Sequence, residues 1–268
     1  TTELSQELND FRAGSATFAY TTGTYVYVGQ ERPFNNLYVD VGSGNASASE
    51  VDVKIWYANA WQSAVDIADG TASGGVAMLR SGRISWNTSW DKNWDLQDRV
   101  SRIPGLEDFE IYDLYWIRLN WDAAFSAGTI LKYVGQKFCS ETDLVGHYPD
   151  LRNASMKLSF GGGPSSGKTT WDDEIFAATD QVIQDLKSRQ LIEVGSQILD
   201  WTIFMEPCIH KTAELIYRGC GPQFRQNVAD VAVAYAKSMN KDKFRIDKDK
   251  DGKLSDREKS ESASYMTR

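Results

Sequence analysis

The segment VDVKIWY, residues 51–57, decides the fold of the first half of the chain. Its odd-numbered residues are apolar or aromatic, and the even-numbered Asp52, Lys54 and Trp56 fall on the opposite side. A period of two is typical of a half-buried β-strand, because successive side chains of an extended backbone point to opposite faces. The segment therefore predicts a strand with one face toward a core.

Six further segments carry the same pattern, and turns rich in Gly, Asn, Asp and Ser separate them. Strands at this spacing, with no helical stretch between them, predict an antiparallel β-sandwich. We assign residues 20–158 to this sandwich and residues 1–19 to an N-terminal arm. The six segments are TYVYVGQ (24–30), NLYVDVG (36–42), SAVDIAD (63–69), GRISW (82–86), LYWIRLNW (114–121) and TILKYVGQKF (129–138).

The period changes to that of a helix after residue 170. Residues 172–192, DDEIFAATDQVIQDLKSRQLI, place apolar side chains near a spacing of 3.6, with three acidic residues in the first turn. Residues 196–221 predict one or two more helices, and residues 224–240 predict another. The expected fold class is thus α+β with two domains, in which a helical domain over 171–268 follows the sandwich and residues 159–170 link them.

Composition narrows the classes of function. The chain has 268 residues and a formal net charge of −8, which disfavours a surface that coats nucleic acid. Three cysteines, an odd number with no C-x-x-C pair, predict free thiols in a reducing cytoplasm. The first residues have neither a basic region nor an apolar core, and no apolar run has the length of a membrane span. We therefore expect no secretion signal and no membrane partner.

One glycine-rich segment spells a nucleotide-binding motif. Within FGGGPSSGKTTW, residues 160–171, GGPSSGKT fits the phosphate-binding P-loop pattern G-x-x-x-x-G-K-[ST]. A working P-loop follows a strand of a parallel sheet and opens a helix, whereas the strands before this motif are antiparallel in pattern. The acidic residues 172–174 also suit a helix N-terminus that binds no anion, with Thr169 or Thr170 as its cap. We interpret the segment as a flexible linker and expect no nucleotide cofactor.

A second motif, near the end of the sequence, has the spacing of a calcium loop. Residues 247–258, DKDKDGKLSDRE, fit the pattern D-x-[DN]-x-[DN]-G-x₅-E of an EF-hand loop. Gly252 permits the sharp turn, and Leu254 is the apolar residue that packs inward. The alternative is a solvated charged tail. The spacing favours a structural Ca²⁺ ion, with six predicted ligands: Asp247, Asp249, Asp251, Lys253 (through its carbonyl), Ser255 and Glu258.

Catalytic residues do not emerge from the sequence. His147 and His210 are the only histidines, they fall in different predicted domains, and neither has metal-ligand spacing. We interpret both as structural or surface residues and expect no enzymatic activity. A rival hypothesis is a carbohydrate-binding β-sandwich with a calcium-loop module, in which exposed tryptophans stack on sugars. Its candidate residues are Trp56, Trp61, Trp90 and Trp94, which are otherwise core or interface residues.

A series of aromatic and glycine-containing phrases, in order along residues 15–258, resembles the head-to-tail connector proteins of contractile-tailed bacteriophages, also called neck, adaptor or collar proteins. The phrases are YVYVGQERPFNNLYVDV, GRISW, FEIYDLYWIRLNW, ILKYVGQKF, HYPDL, GKTTWDDEI, HKTAELIYR and DKDKDGKL.

The resemblance implies a structural virion protein. Its helical domain would dock on the portal protein, and its β domain would face outward or toward the next neck or tail protein. Copies of the chain would form a ring of about twelve around the DNA channel, and DNA would pass without sequence-specific binding. The implied location is the neck of the virion, after synthesis in the host cytoplasm. A P-loop nucleotide-binding protein is the third and last hypothesis.

Overall fold

A computed structural model describes residues 4–12, 15–87, 103–107, 113–161 and 168–240. The chain divides into two compact units: one holds the described residues up to Gly135 together with Ser196–Leu199, and the other holds the described remainder. Every strand of these ranges lies in the first unit, and every α-helix from residue 141 onward lies in the second. The fold is therefore of mixed α+β class.

All seven segments with strand periodicity form strands, and two further strands occur that the sequence did not reveal, β1 and β5. In the described residues the strands are β1 (Ala16–Thr17), β2 (Val26–Gln30), β3 (Asn36–Ser43), β4 (Val51–Tyr57), β5 (Ala60–Ser63), β6 (Val65–Asp69), β7 (Gly82–Asn87), β8 (Tyr115–Trp121) and β9 (Ile130–Gly135).

The strands form two antiparallel sheets. The first, sheet A, has the order β1-β9-β3-β7-β6, and the second, sheet B, has the order β2-β8-β4-β5. In sheet B, Ile55 of β4 pairs with Ile117 of β8, which in turn pairs with Val28 of β2. One hydrophobic cluster contains the inward residues of both sheets, so the sheets form a sandwich around a shared core. Its buried members include Leu37, Val39, Ile84, Trp86 and Leu131 of sheet A, and Val53, Ile55, Ile117, Leu119 and Trp121 of sheet B.

Residues 4–12 and 15–18 are part of the sandwich unit and do not form the separate arm that we expected. Strand β1 pairs with β9, and Leu8 and Phe18 are buried in the shared core. Their apolar side chains attach the segment to the unit, since burying such surface is the main favourable term in folding.

The α-helices of the second unit begin before the predicted boundary at residue 158. Strand pairing ends at Gly135, and Ser140 then caps a helix by a reciprocal capping box with Asp143. The described α-helices are α1 (Ser5–Leu8), α2 (Glu141–His147), α3 (Ala154–Ser159), α4 (Asp172–Ser188), α5 (Met205–Gly219) and α6 (Arg225–Met239); short 3-10 helices span Pro149–Arg152, Gly195–Gln197, Trp201–Phe204 and Pro222–Phe224.

The three long helices α4, α5 and α6 agree with the helical periodicity of residues 172–240. Helix α5 contacts both α4 and α6 and carries the largest buried set of the three. One detail differs from expectation: Trp171, not Thr169 or Thr170, precedes α4, and it provides no side-chain cap. In the part of the chain that the structure describes, no helix has both the length and the apolar character needed to cross a membrane.

Candidate functional site

The predicted calcium ligands cannot be placed. Asp247, Asp249, Asp251, Lys253, Ser255 and Glu258 all lie outside the described residues. Among residues 4–240, with the gaps given above, no group of three or more His, Cys, Asp or Glu side chains is arranged to hold a metal ion. The calcium site stays a prediction from the spacing of the loop.

The P-loop-like segment is preceded by a helix. Residues 154–159 form α3, where a phosphate-binding loop would require a strand. Residues 162–167 lie outside the described ranges, but both flanks of the segment pack within the second unit. Gly161 N–H donates to the carbonyl of Gly219 at 3.2 Å, and Lys168 N–H donates to that of Lys157 at 2.9 Å. The segment therefore does not separate the two units, contrary to its expected role as their linker.

Lys168 is bound by carboxylates at the start of α4. Its Nζ lies 3.0 Å from Oδ2 of Asp173 and also donates to Oε1 of Glu174, a residue that is 7 % exposed. Burial raises the pKa of Glu174, against the opposing effect of the Lys168 ammonium. A phosphate at this lysine would have to displace two carboxylates, one of them buried. The geometry favours a structural ion pair.

A second pair of charges lies at the same helix end. Lys137 Nζ is 2.7 Å from Oδ1 of Asp172, and this lysine side chain is almost fully buried against the ring of Phe176. All three acidic residues of the first turn are thus paired with lysines. Their negative charges also interact favourably with the positive N-terminal end of the helix dipole. The sequence predicted the acidic turn but not its partner Lys137, because Lys137 is 35 residues distant from Asp172.

The two histidines come together in the second unit, which corrects their assignment to different domains. Their ring centroids are 5.0 Å apart, His147 at the end of α2 and His210 on α5. The hydroxyl of Tyr148 is 2.7 Å from Nδ1 of His210, and Oε1 of Glu206 is 3.7 Å from Nε2. The last strand, β9, ends at Gly135, before the predicted boundary at residue 158. Residues 141–152 therefore fold with α5, and this brings the two histidines together.

The segment HYPDL, residues 147–151, is fixed by contacts from two other parts of the chain, helix α5 and the start of α4. Besides the Tyr148–His210 bond, Tyr217 donates to Oδ2 of Asp150 at 2.7 Å, and Trp171 Nε1 donates to the carbonyl of Leu151 at 2.9 Å. We call these six residues the HYPDL cluster. A cleft of about 630 Å³ that includes Asp150, Arg152 and Phe224 borders it. The cluster holds the start of α4 and the middle of α5 to residues 147–151.

The outer face of sheet B, in the first unit, carries a second group of aromatic residues. Trp56 pairs with Trp61 across β4 and β5, with ring centroids 5.3 Å apart, and Trp116 lies in the same cluster. Arg118 stacks over the rings of Tyr25 and Trp61 at 4.0 and 5.1 Å. Cation–π contacts of this kind hold a guanidinium over an aromatic surface.

Residues 103–107 cover part of this face. Ile103 and Leu106 are buried against the tryptophans, and the carbonyl of Pro104 accepts from Trp61 Nε1 and the Tyr27 hydroxyl at 3.4 Å each. Trp56 is 3 % exposed, which agrees with a core residue and not with the open sugar platform of the rival carbohydrate-binding hypothesis. Trp61 is half-buried, whereas Trp90 and Trp94 lie outside the described residues.

No protein-family profile, no curated protein and no solved structure matches this chain. A function can therefore be inferred only from the geometry described above and from the sequence phrases that resemble connector proteins.

Proposed function

We propose that the chain is a structural protein of a phage neck. In this proposal copies of the chain form a ring that joins the portal of the head to the tail and surrounds the DNA channel. The β-sandwich and the helical unit act as two domains, with an EF-hand-like calcium loop at residues 247–258. The protein binds the portal, the next neck or tail protein and further copies of itself.

The observation that carries the proposal is the position of the phrases that resemble connector proteins. Residues of three separate phrases, HYPDL, GKTTWDDEI (through Trp171) and HKTAELIYR, meet in the HYPDL cluster through Tyr148–His210, Leu151–Trp171 and Asp150–Tyr217. The phrases of the first half form neighbouring strands: β2 pairs with β8, and β3 pairs with both β7 and β9. These phrases therefore contribute to the packed cores of both units. A structural protein is expected to share such core residues with its relatives, because close packing restricts which side chains fit there.

Charge and surface chemistry fit the same role. With a net charge of −8, the chain suits a channel that DNA slides through, since a basic wall would hold the phosphates. The partly covered aromatic face of sheet B, with Arg118 among Tyr25 and Trp61, has the composition typical of protein interfaces. A heterologous contact closes into a ring when its rotation divides the circle.

The test is cryo-electron microscopy of virions, and of the purified chain mixed with the portal protein of the same phage. We expect about twelve copies in one ring against the portal, matching the portal symmetry. The chain alone serves as the control for rings that form without a template. A single copy per particle, or density in a tail fibre or the capsid shell, would overturn the proposal.

A further inference from the structure

Two of the three cysteines lie in contact inside the second unit. Cys139 is in the segment between β9 and α2, and Cys208 is in the first turns of α5. Their Sγ atoms are 3.3 Å apart, although 69 positions separate them in sequence. Cys139 is 4 % exposed and Cys208 is fully buried.

The surroundings hold the two sulfurs at this distance. Thr179 of α4 lies with its Oγ1 3.5 Å from Cys208 Sγ, and the same oxygen accepts from Phe138 N–H at 3.3 Å. Thr212 donates to the carbonyl of Cys208 at 2.7 Å. Three segments of the chain thus converge on the pair, and the contact does not depend on one mobile side chain.

We propose that Cys139 and Cys208 are a redox site that closes into a reversible disulfide. A disulfide bond is about 2.05 Å long, so the sulfurs need to approach by about 1.3 Å. Rotation about the two Cα–Cβ bonds can supply a shift of this size.

The oxidant is a peroxide, which is small enough to enter when the unit opens locally. One thiol loses its proton, the thiolate attacks a peroxide oxygen, the O–O bond breaks, and the sulfur becomes a sulfenic acid. The other oxygen leaves as hydroxide and takes up the released proton to give water. The second thiol then loses its proton, its thiolate attacks the sulfenic sulfur and expels hydroxide, and this hydroxide takes up the second proton to give water. Two thiols and one hydrogen peroxide therefore give one disulfide and two water molecules, and a dithiol reductant reverses the change.

Burial makes the reaction slow and sensitive to pH. The hydrogen bond to Cys208 and burial raise the pKa of the Cys139 thiol far above its ordinary range. Because the thiolate is the reacting form, oxidation should depend on local opening and should accelerate as the pH rises. Cys220 is an internal reference, since its Sγ faces the carbonyl of Met156 at 3.9 Å instead of a second thiol.

The expected consequence is a stabilised helical unit outside the cell. A cross-link between positions so far apart in sequence restricts the unfolded chain, and we expect the melting temperature to rise by about 5–10 °C. This physiological part rests on the proposed function, because a virion protein assembles in a reducing cytoplasm and then leaves the host. The thiol chemistry itself does not depend on that function.

The test uses the full chain, incubated with hydrogen peroxide and in parallel with a dithiol reductant. Alkylation after unfolding should count one thiol in place of three, and peptide mapping should find a 139–208 cross-link with Cys220 alkylated. The Cys220→Ser variant should keep the cross-link and the rise in melting temperature, whereas Cys139→Ser and Cys208→Ser should lose both. The wild-type map alone decides the outcome if a variant does not fold.

Repeating the peroxide incubation during refolding from urea controls for the access of peroxide to the buried thiols. Three free thiols under both conditions, or cross-links through Cys220 only, would overturn the proposal. Peptide mapping of purified virions without reductant distinguishes the proposed neck function from the proposed extracellular role of the disulfide. Particles that lack the chain refute the proposed function, and particles that contain it with both thiols free refute the extracellular role of the disulfide.

Discussion

The hydroxyl of Tyr148 lies 2.7 Å from Nδ1 of the buried His210, and this bond ties the end of helix α2 to the middle of α5. Tyr148→Phe removes the hydroxyl and leaves a buried imidazole nitrogen without that partner. We expect the free energy of unfolding to fall by about 1–2 kcal/mol, as measured by urea denaturation. Tyr25→Phe, at an exposed tyrosine of the sandwich unit, is the matched control and should change stability little. Equal stability of wild type and Tyr148→Phe would show that the bond contributes nothing.

Lys168→Ala should destabilise the second unit, whereas a lysine in a free linker could be removed without effect. The substitution leaves the largely buried Glu174 without its ammonium partner, and an unpaired buried carboxylate costs about 1–3 kcal/mol. Replacing both residues, as in Lys168→Ala with Glu174→Gln, should restore part of the loss, because only the exposed carboxylate of Asp173 is then left without its lysine and no buried charge is unpaired.

The same variant tests the rival nucleotide hypothesis. We expect calorimetry to detect no ATP or GTP binding to the wild-type chain, since two carboxylates hold the lysine that would bind phosphate. Nucleotide binding that Lys168→Ala abolishes would refute the structural interpretation of the segment.

Alkaline pH should weaken the helical unit through buried tyrosines. Burial, and then a hydrogen bond to Asp150, raise the pKa of Tyr217 in the folded chain. Burial, and then a hydrogen bond to Asp185, likewise raise the pKa of Tyr235. A folded-state pKa above the unfolded value contributes stability that is complete below about pH 10 and is lost as the pH rises further. Each pH unit above 10 should cost about 1.4 kcal/mol per tyrosine, until the folded-state pKa is reached.

Urea denaturation between about pH 8 and pH 11 measures this loss. Tyr217→Phe should lower stability at neutral pH, because Asp150 loses a donor, but should flatten the alkaline decline. If the variant and the wild type decline equally above pH 10, Tyr217 is not a source of the effect.

The sequence predicted seven strands but missed β1 and β5, and for β5 the reason is local. Residues 58 and 59 join β4 to β5 as a two-residue hairpin, with φ of +51° at Ala58 and +56° at Asn59. Such turns usually signal themselves by a glycine, as in Asn-Gly. Here alanine takes the left-handed conformation, so the turn had no recognisable signature, and the short run AWQS did not show enough alternation.

The meeting of His147 and His210 could not have been predicted from periodicity. The segment after β9 contains a capping signal, since Ser140 is followed three residues later by Asp143, but the neighbouring strand pattern obscured it. Contacts such as Tyr148–His210 join residues 62 positions apart, and local pattern carries no information at that distance. The acidic turn of α4, by contrast, was visible because its cause, the helix dipole, is local.

Calcium should raise the melting temperature of the helical unit, since an ion bound only by the folded chain stabilises it by mass action. The prediction rests on the spacing of residues 247–258, which lie outside the described ranges. Glu258→Gln should weaken the predicted bidentate ligand and remove most of the increase. Glu261→Gln, three residues beyond the loop, is the charge-matched control and should retain it. The same melting temperature for wild type in calcium and in chelator would reject a calcium site.

Substitutions at two glycines test whether residues 103–107 cover the aromatic face of sheet B. Gly105 and Gly128 have similar backbones, with φ of +96° and +89°. A Cβ on Gly105 would lie only 1.9 Å from the Tyr27 hydroxyl oxygen, whereas a Cβ on Gly128 would meet no atom within 4 Å. Gly128→Ala therefore reports the strain of a left-handed alanine alone, about 1 kcal/mol.

Gly105→Ala should cost about 1–2 kcal/mol more than Gly128→Ala, because it adds a clash to the same strain. Displacing residues 103–107 should also expose Trp61 and shift tryptophan fluorescence to longer wavelength. Adding Tyr27→Phe to Gly105→Ala should recover part of the stability, since it removes the oxygen at 1.9 Å but leaves the ring carbon at 2.7 Å. Equal costs at the two glycines, with unchanged fluorescence, would mean that residues 103–107 do not cover the tryptophans in solution.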